Sequence, residues 1–210
     1  MPQMETRTIQ QPMTVHEATS DDEKPIIEGY ALKFNKQSSV LGTKDLRFRE
    51  TIDPHALDHA DLSNVVALFN HDPNQVLGRT GVNLELNIDE QGLRYKLTPP
   101  DTQLGHDLLE NIRSGVISQS SFAFSMPADS SAQTWSKSTE RDAKYNRIIR
   151  SIDHVFDVSP VTTPAYPDTE VKVGQRSLDA ISELDKPAEW VEQRSKLLVE
   201  INKEALLEDI

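Results

Sequence analysis

The sequence predicts an α+β fold that is mostly β, on three observations. Val82, Leu84, Leu86 and Ile88 alternate with Asn83, Glu85 and Asn87, and Leu93, Tyr95 and Leu97 alternate in the same way after Asp89-Glu90-Gln91-Gly92. Period-two alternation marks half-buried strands, and the glycine-containing turn joins them as a β-hairpin. Further β-forming runs lie at residues 26–34, 64–70, 117–126 and 147–161. Only one clear amphipathic helix interrupts them: Leu104, Leu108 and Ile112 recur at i, i+4 and i+8, and Gly115 follows where a left-handed cap is needed.

The elements follow in order. Residues 1–24 carry Gln, Thr, Asp and Glu with little apolar periodicity, so they are expected to form a flexible N-terminal segment. A folded domain over 25–174 begins at Pro25, and Ile26 to Phe34 reads as its first strand, ended by the turn region Asn35–Ser39. Asp53-Pro54-His55-Ala56-Leu57 places an acceptor before a proline, which predicts the start of a short helix. Asn64 to Asn70 reads as a buried strand. The polar stretch from Pro127 to Asn146 holds Trp135 and little else apolar, which predicts a long mobile connection. Beyond Val173, residues 178–184 and 190–207 are helical in pattern, separated by Pro187, with Val191, Leu198 and Ala205 seven residues apart. Residues 175–210 are therefore expected to be a helical C-terminal arm that either packs on the domain or meets a partner or second copy.

Composition narrows the function. Of 210 residues, 22 are Lys or Arg and 34 are Asp or Glu, a net charge of −12, and there is no cysteine. The acidic balance offers no basic footprint for nucleic acid, so no nucleic-acid partner is expected. Without cysteine there is no disulfide framework, thiolate metal site, cysteine-ligated iron–sulfur cluster or cysteine nucleophile. No leader pattern and no apolar run long enough for a membrane span is evident, so a soluble cytosolic chain without membrane partner is expected. Gly78-Arg79-Thr80-Gly81 opens a strand and lacks the Gly-Lys-Ser/Thr of a phosphate loop, so no nucleotide cofactor is expected.

Three places hold chemistry. His71 ends the apolar run from Val65, in Leu68-Phe69-Asn70-His71-Asp72-Pro73, where an imidazole is either a hydrogen-bonded structural group or a base. Ser118, Ser120 and Ser121 lie between the cap glycine and the strand Phe122-Ala123-Phe124. Serines there cap turns, or one is a nucleophile held on a rigid strand. Asp157 lies mid-strand; counting in twos, it shares a face with Asp153, Val155 and Ser159, whereas His154 shares the other with Ile152, Phe156 and Val158. A solvent-exposed Asp157 is the bland alternative. His55 and His59, at i and i+4, could place two imidazoles on one helical face, but the Glu of His-Glu-x-x-His and a third ligand are missing. No metal is expected.

Together these segments resemble the prohead serine proteases of tailed bacteriophages, which are distantly similar to herpesvirus assemblins. The resemblance runs over residues 26–171: Ile27-Glu28-Gly29-Tyr30-Ala31; Phe48-Arg49-Glu50-Thr51-Ile52-Asp53-Pro54; Val66-Ala67-Leu68-Phe69-Asn70-His71-Asp72 with Leu77-Gly78-Arg79; Gly115-x-Ile117-Ser118-x-x-Ser121-Phe122-x-Phe124; and Asp157-Val158-Ser159-x-Val161-Thr162-x-Pro164-Ala165-Tyr166-Pro167. It implies His71 as base, Ser121 as nucleophile and Asp157 as third member. Ser120 stands where the family often has methionine, Ala123 where it has glycine, Pro160 where an apolar residue is common, and Asp157 where it has Glu. Assemblins use a second histidine, which keeps His154 as a lesser candidate.

The resemblance further implies an antiparallel β-barrel with surrounding helices, assemblin-like, with residues 25–174 as the protease domain. Its substrates would be the major capsid protein, scaffold segments and the chain itself, cleaved inside an assembling prohead in the bacterial host. A dimer is an implied possibility by analogy with assemblins. The competing readings are a catalytically inactive scaffold or capsid-assembly protein with the same fold, and a metal-dependent hydrolase using His55 and His59.

Overall fold

The computed structural model describes residues 4–9, 12–20, 23–162 and 175–186. The chain divides into two compact units, 1–173 and 174–210. In the second unit, α2 spans Gln175–Leu184, inside the predicted arm; the predicted helix over 190–207 lies outside the described residues.

The first unit is built of three sheets. The first contains β1 (Glu5–Ile9), β6 (Val66–Phe69), β7 (Asp72–Arg79), β10 (Gln119–Ser125) and β13 (His154–Val161), in the order β1-β10-β13-β6-β7. The second runs β11 (Gln133–Lys137), β12 (Tyr145–Ile149), β5 (Arg47–Ile52), β4 (Leu41–Gly42). The third runs β2 (Thr14–His16), β3 (Ile26–Lys33), β9 (Gly92–Leu97), β8 (Leu84–Asp89). The chain is thus mostly β, as the alternation predicts, and β8–β9 is the expected hairpin. Helix α1 (Gln103–Arg113) is the predicted amphipathic helix: Thr102 caps its start by accepting from the Gly105 amide, and Gly115 follows at φ 76°.

Four expectations change. Among the described residues no ladder joins the two end strands of any sheet, so three open sheets replace the expected barrel. The first two sheets are also mixed, because β13 pairs β6 and β12 pairs β5 in parallel, whereas the third is antiparallel throughout. The chain leaves one sheet for another between successive strands, which interrupts the continuous ladder a barrel needs. Residues 1–24, expected to be flexible, carry β1 and β2, paired to β10 and β3. The segment after Ile52 forms turns instead of a helix; Ala56 and Leu57 are buried while His55 and Asp58 are exposed. The polar stretch 127–146 holds a 3-10 turn, Ser130–Ala132, and the β11–β12 hairpin, whose Trp135 packs edge-on against Phe48 at 4.9 Å. Two buried aromatics ten residues apart, Trp135 and Tyr145, give too little periodicity to reveal the strands.

One apolar core underlies the sheets, with Ile27, Leu32, Tyr95, Leu97, Leu108, Phe122 and Phe124 among its buried side chains. β10 gives this core Phe122 and Phe124, so period two sends Ser121 and Ala123 to its opposite face. Ser120 shares the core face, where its hydroxyl meets the Tyr95 hydroxyl at 2.7 Å. A Cβ at Gly29 would come within 3.0 Å of that tyrosine oxygen, so glycine leaves the ring its room.

Candidate active site

Strand register places two of the three candidate residues side by side. In the β10–β13 pair, Ser121 lies opposite Ser159 and Ala123 opposite Asp157. Ser121, Ala123, Asp157 and Ser159 therefore share one face of the sheet.

The third residue reaches that face by a tight turn. β6 and β7 pair as far as Phe69 opposite Asp72, leaving Asn70 and His71 as a two-residue connection with φ of 55° and 58°. Both central residues in the left-handed region match the hairpin turn whose twist suits the flanking strands. Asn tolerates this conformation; for His it stores strain of about 1–3 kcal/mol, which persists only where neighbours over-determine the turn. They do so here from β13: the Asn70 amide donates to the Pro160 carbonyl at 3.0 Å, and the Thr162 amide donates to Asn70 Oδ1 at 3.0 Å. The imidazole is thereby fixed over the serine and carboxylate.

The three groups form one hydrogen-bonded line. His71 Nδ1 is 2.6 Å from Asp157 Oδ1, and His71 Nε2 is 2.6 Å from Ser121 Oγ. With Nδ1 donating to the carboxylate, Nε2 is left as the acceptor facing the hydroxyl. Ser159 Oγ donates to the same Asp157 Oδ1 at 2.7 Å, so this oxygen receives two bonds and the carboxylate is held from two sides. Asp157 and Ser159 are buried, whereas the His71 side chain keeps 25 % exposure. Ser121 is only 1 % exposed, and its hydroxyl also lies 2.9 Å from the carbonyl oxygen of Arg7 on β1.

Side chains of β1, β5 and β12 form a buried ionic cluster, with Glu5 and Arg7 on the face of β1 opposite Thr6 and Thr8. Arg7 Nε and Nη2 donate to the two oxygens of Glu50 at 2.7 and 2.8 Å, and Nη2 donates to Glu5 at 2.6 Å. Arg147 Nη1 donates to Glu5 at 2.7 Å and Glu50 at 2.8 Å, while its Nε donates to Gln133 at 2.8 Å. Burial by itself would raise the Glu5 carboxyl, but the hydrogen bonds and charges of Arg147 and Arg7 hold it below its ordinary value. Burial likewise favours loss of the Arg7 charge, and Glu50 and Glu5 more than reverse it.

The remaining candidates do not converge on this line. Ser120 is bonded to Tyr95 in the core. His154 faces Asp61 at 3.5 Å and stacks on Phe156; a register shift at Phe156 breaks the period-two count, so Val155, expected on the face of Asp157, joins Val158 in the core and His154 lies opposite Ser125. His55 pairs with Asp58 at 3.0 Å on the exposed turn, and the missing helix removes the i, i+4 geometry that would have aimed it with His59. Among the described residues no group of three or more His, Asp or Glu side chains is arranged to hold a metal ion.

Sequence reasoning missed Arg7, Glu5, Asn70 and Ser159 as parts of this region. Glu5-Thr6-Arg7-Thr8-Ile9 does contain β-branched residues, but its inward positions are charged, so a hydrophobic count cannot see the strand. Ser159 could have been found from its i+2 spacing to Asp157.

A comparison with protein families finds that the model of the caudovirus prohead serine protease family matches residues 11–183, well over half of the chain. Among solved structures, the chain is similar to the bacteriophage T4 capsid assembly protease, gp21, at 15 % identity and a TM-score of 0.46, over 78 % of this chain and 99 % of that one. A search of curated proteins finds no match.

Proposed function

Because this chain belongs to the caudovirus prohead serine protease family, we propose that it is a serine endopeptidase of capsid maturation in which Ser121 is the nucleophile, His71 the general base and Asp157 the residue that orients the imidazole. The observation that carries the reading is the unbroken line of two 2.6 Å contacts from Ser121 through His71 to Asp157.

The chemistry follows from that line. A serine hydroxyl is a weak nucleophile until a neighbouring base takes its proton. Ser121 Oγ attacks the carbonyl carbon of a peptide bond while His71 Nε2 accepts the hydroxyl proton. The imidazolium then returns that proton to the leaving amine, which departs as the acyl-enzyme forms. Water enters, gives a proton to His71 and releases the acid, regenerating Ser121. Asp157 holds Nδ1 protonated and stabilises the imidazolium without becoming protonated itself. The order along the chain is histidine, serine, aspartate; a triad is defined by its geometry and not by order.

By family membership the substrates are the major capsid protein and its scaffold segments, with the chain itself as a further substrate, cut inside the assembling prohead in the bacterial host. The assemblin-like character of the fold and a dimer belong to the same reading, as does a C-terminal arm over 175–210 that carries the enzyme into the prohead.

The test is intact mass over time for the wild-type chain, Ser121→Ala and Ser120→Ala, each with the cognate capsid protein. Cleavage should fall by about 10⁴-fold or more in Ser121→Ala, to the level of an enzyme lacking its nucleophile. Ser120→Ala leaves the buried Tyr95 hydroxyl without its partner and should lower stability by about 1–3 kcal/mol while each folded molecule still cleaves. Equal cleavage by Ser121→Ala and wild type would refute the assignment.

A further inference from the structure

The nucleophile of the proposed reaction lies under the chain's own N-terminal strand. β1 forms one edge of the five-stranded sheet and runs antiparallel to β10, with Thr8 opposite Ser121 and Thr6 opposite Ala123. Ser121 is 1 % exposed, so no substrate carbonyl reaches its hydroxyl in this arrangement. The hydroxyl has a single proton and two acceptors in reach, His71 Nε2 at 2.6 Å and the Arg7 carbonyl oxygen at 2.9 Å. A proton directed at Arg7 is not directed at the base. The hydroxyl also meets the oxygen of the Arg7 peptide group, whereas acyl transfer requires attack at the carbon, so β1 lies against the nucleophile in a pose that does not react.

Extended peptides bind sheets by pairing their main chain with a free edge strand. If β1 leaves, that edge is β10, whose backbone from Ser120 to Phe124 would be unpaired directly beside Ser121. Resting on the reading of Ser121 as nucleophile, we infer that β1 is a self-inhibitory strand: it occupies in cis the edge of β10 to which an extended peptide substrate adds, and the site opens when β1 departs.

The ionic cluster is constructed so that this departure is feasible. β1 supplies one carboxylate, Glu5, and one guanidinium, Arg7; the rest of the domain supplies Glu50 and Arg147, which stay paired at 2.8 Å without it. Removing one member of a buried ion pair strands a charge and is strongly destabilising. Removing β1 takes one charge of each sign together and strands none. The pair left behind faces alternate side chains of an entering strand, so it favours a peptide with an acidic and a basic residue two positions apart, as Glu5 and Arg7 are.

The experiment measures labelling of Ser121 by a small fluorophosphonate, followed by intact mass, in the full chain and in a chain lacking residues 1–10. A closed state that opens only as a minor population predicts a rate about tenfold or more higher in the shortened chain. A synthetic peptide of residues 1–12 added in trans should bring the rate back down, and the same peptide with Glu5→Lys and Arg7→Glu should do so less. A second variant, Thr6→Cys with Ala123→Cys, serves if the shortened chain does not fold. Directly opposed strand residues are about 4.5–5.5 Å apart between Cα atoms, within a disulfide's span. Its oxidised form should label slowly and its reduced form at the full-chain rate. Equal labelling with and without β1, or oxidised and reduced, overturns the inference while leaving Ser121 as nucleophile. No labelling in any form, with folding verified by thermal melting, overturns both.

Discussion

Two polar networks lie on opposite faces of β1 and β10, and they are built on opposite terms. On one face, Glu5, Arg7, Glu50 and Arg147 saturate one another with six hydrogen bonds of 2.6–3.0 Å among four buried side chains. On the other, Ser121, His71, Asp157 and Ser159 form a single file in which one hydroxyl proton has two acceptors. The first network leaves no charge unpaired, either with β1 in place or, through the Glu50–Arg147 pair, without it. The second keeps a choice of proton position, and its histidine sits on a turn in the left-handed region. Full satisfaction of buried polar groups rigidifies a core; a site that must move a proton keeps a partner in reserve.

The difference can be broken first at Arg147. Arg147→Ala leaves Glu5 and Glu50 sharing only Arg7, and the domain should lose about 3–5 kcal/mol, read as a fall in the midpoint of thermal or denaturant unfolding. An unchanged midpoint would mean that Arg147 does not balance the buried carboxylates as described here.

Ser159→Ala should act in the opposite way. Losing one bond to Asp157 costs about 1 kcal/mol of stability, yet it frees the carboxylate to turn and should lower kcat by about 10- to 100-fold with KM little changed. Ser159→Thr, which keeps the hydroxyl, should restore much of the rate. A loss of stability without a change in kcat would place Ser159 with the structural network instead.

The smallest effect is the response to acid. The Glu5 carboxyl is held below its ordinary value, so it binds a proton more readily unfolded than folded. Its contribution to stability is complete above the ordinary glutamate range and is lost as pH falls through the lower, folded value. Melting temperature should therefore decline in mild acid, and less so in the chain lacking residues 1–10. Identical acid limbs for the two chains would show that Glu5 does not carry this dependence.

The face that carries the candidate site was more legible in the sequence than the face that carries the ionic cluster, and the reason is physical. Alternation in Phe122-Ala123-Phe124 and in Asp157-Val158-Ser159 assigns side chains to faces without knowledge of neighbours, but it fails across the register shift at Phe156, beyond which Val155 turns to the core. The choice of Ser121 over Ser120 and the pairing with His71 came from the resemblance; the residues alone left both open. β1 was unreadable because its inward positions are Glu5 and Arg7, and such residues look solvated until the partners that neutralise them, 43 and 142 positions away, are known. The 3.6-residue pattern likewise located α1 but misjudged the turns after Ile52, where no periodic face exists to be read.

By itself, then, the sequence determined what depends on near neighbours: the mostly β composition, the β8–β9 hairpin, helix α1 with its cap, the face assignments on β10 and from Asp157 to Ser159 on β13, and membership of a family by ordered local motifs. Only the tertiary structure decided what depends on strand pairing: three open sheets, two of them mixed, the left-handed turn that carries His71 over Ser121, and β1 laid along the strand of Ser121. Side-chain direction within a strand repeats every two residues and is written locally. Which strand lies beside it is settled by burial and charge balance summed over the whole domain, a sum that no short stretch of chain contains.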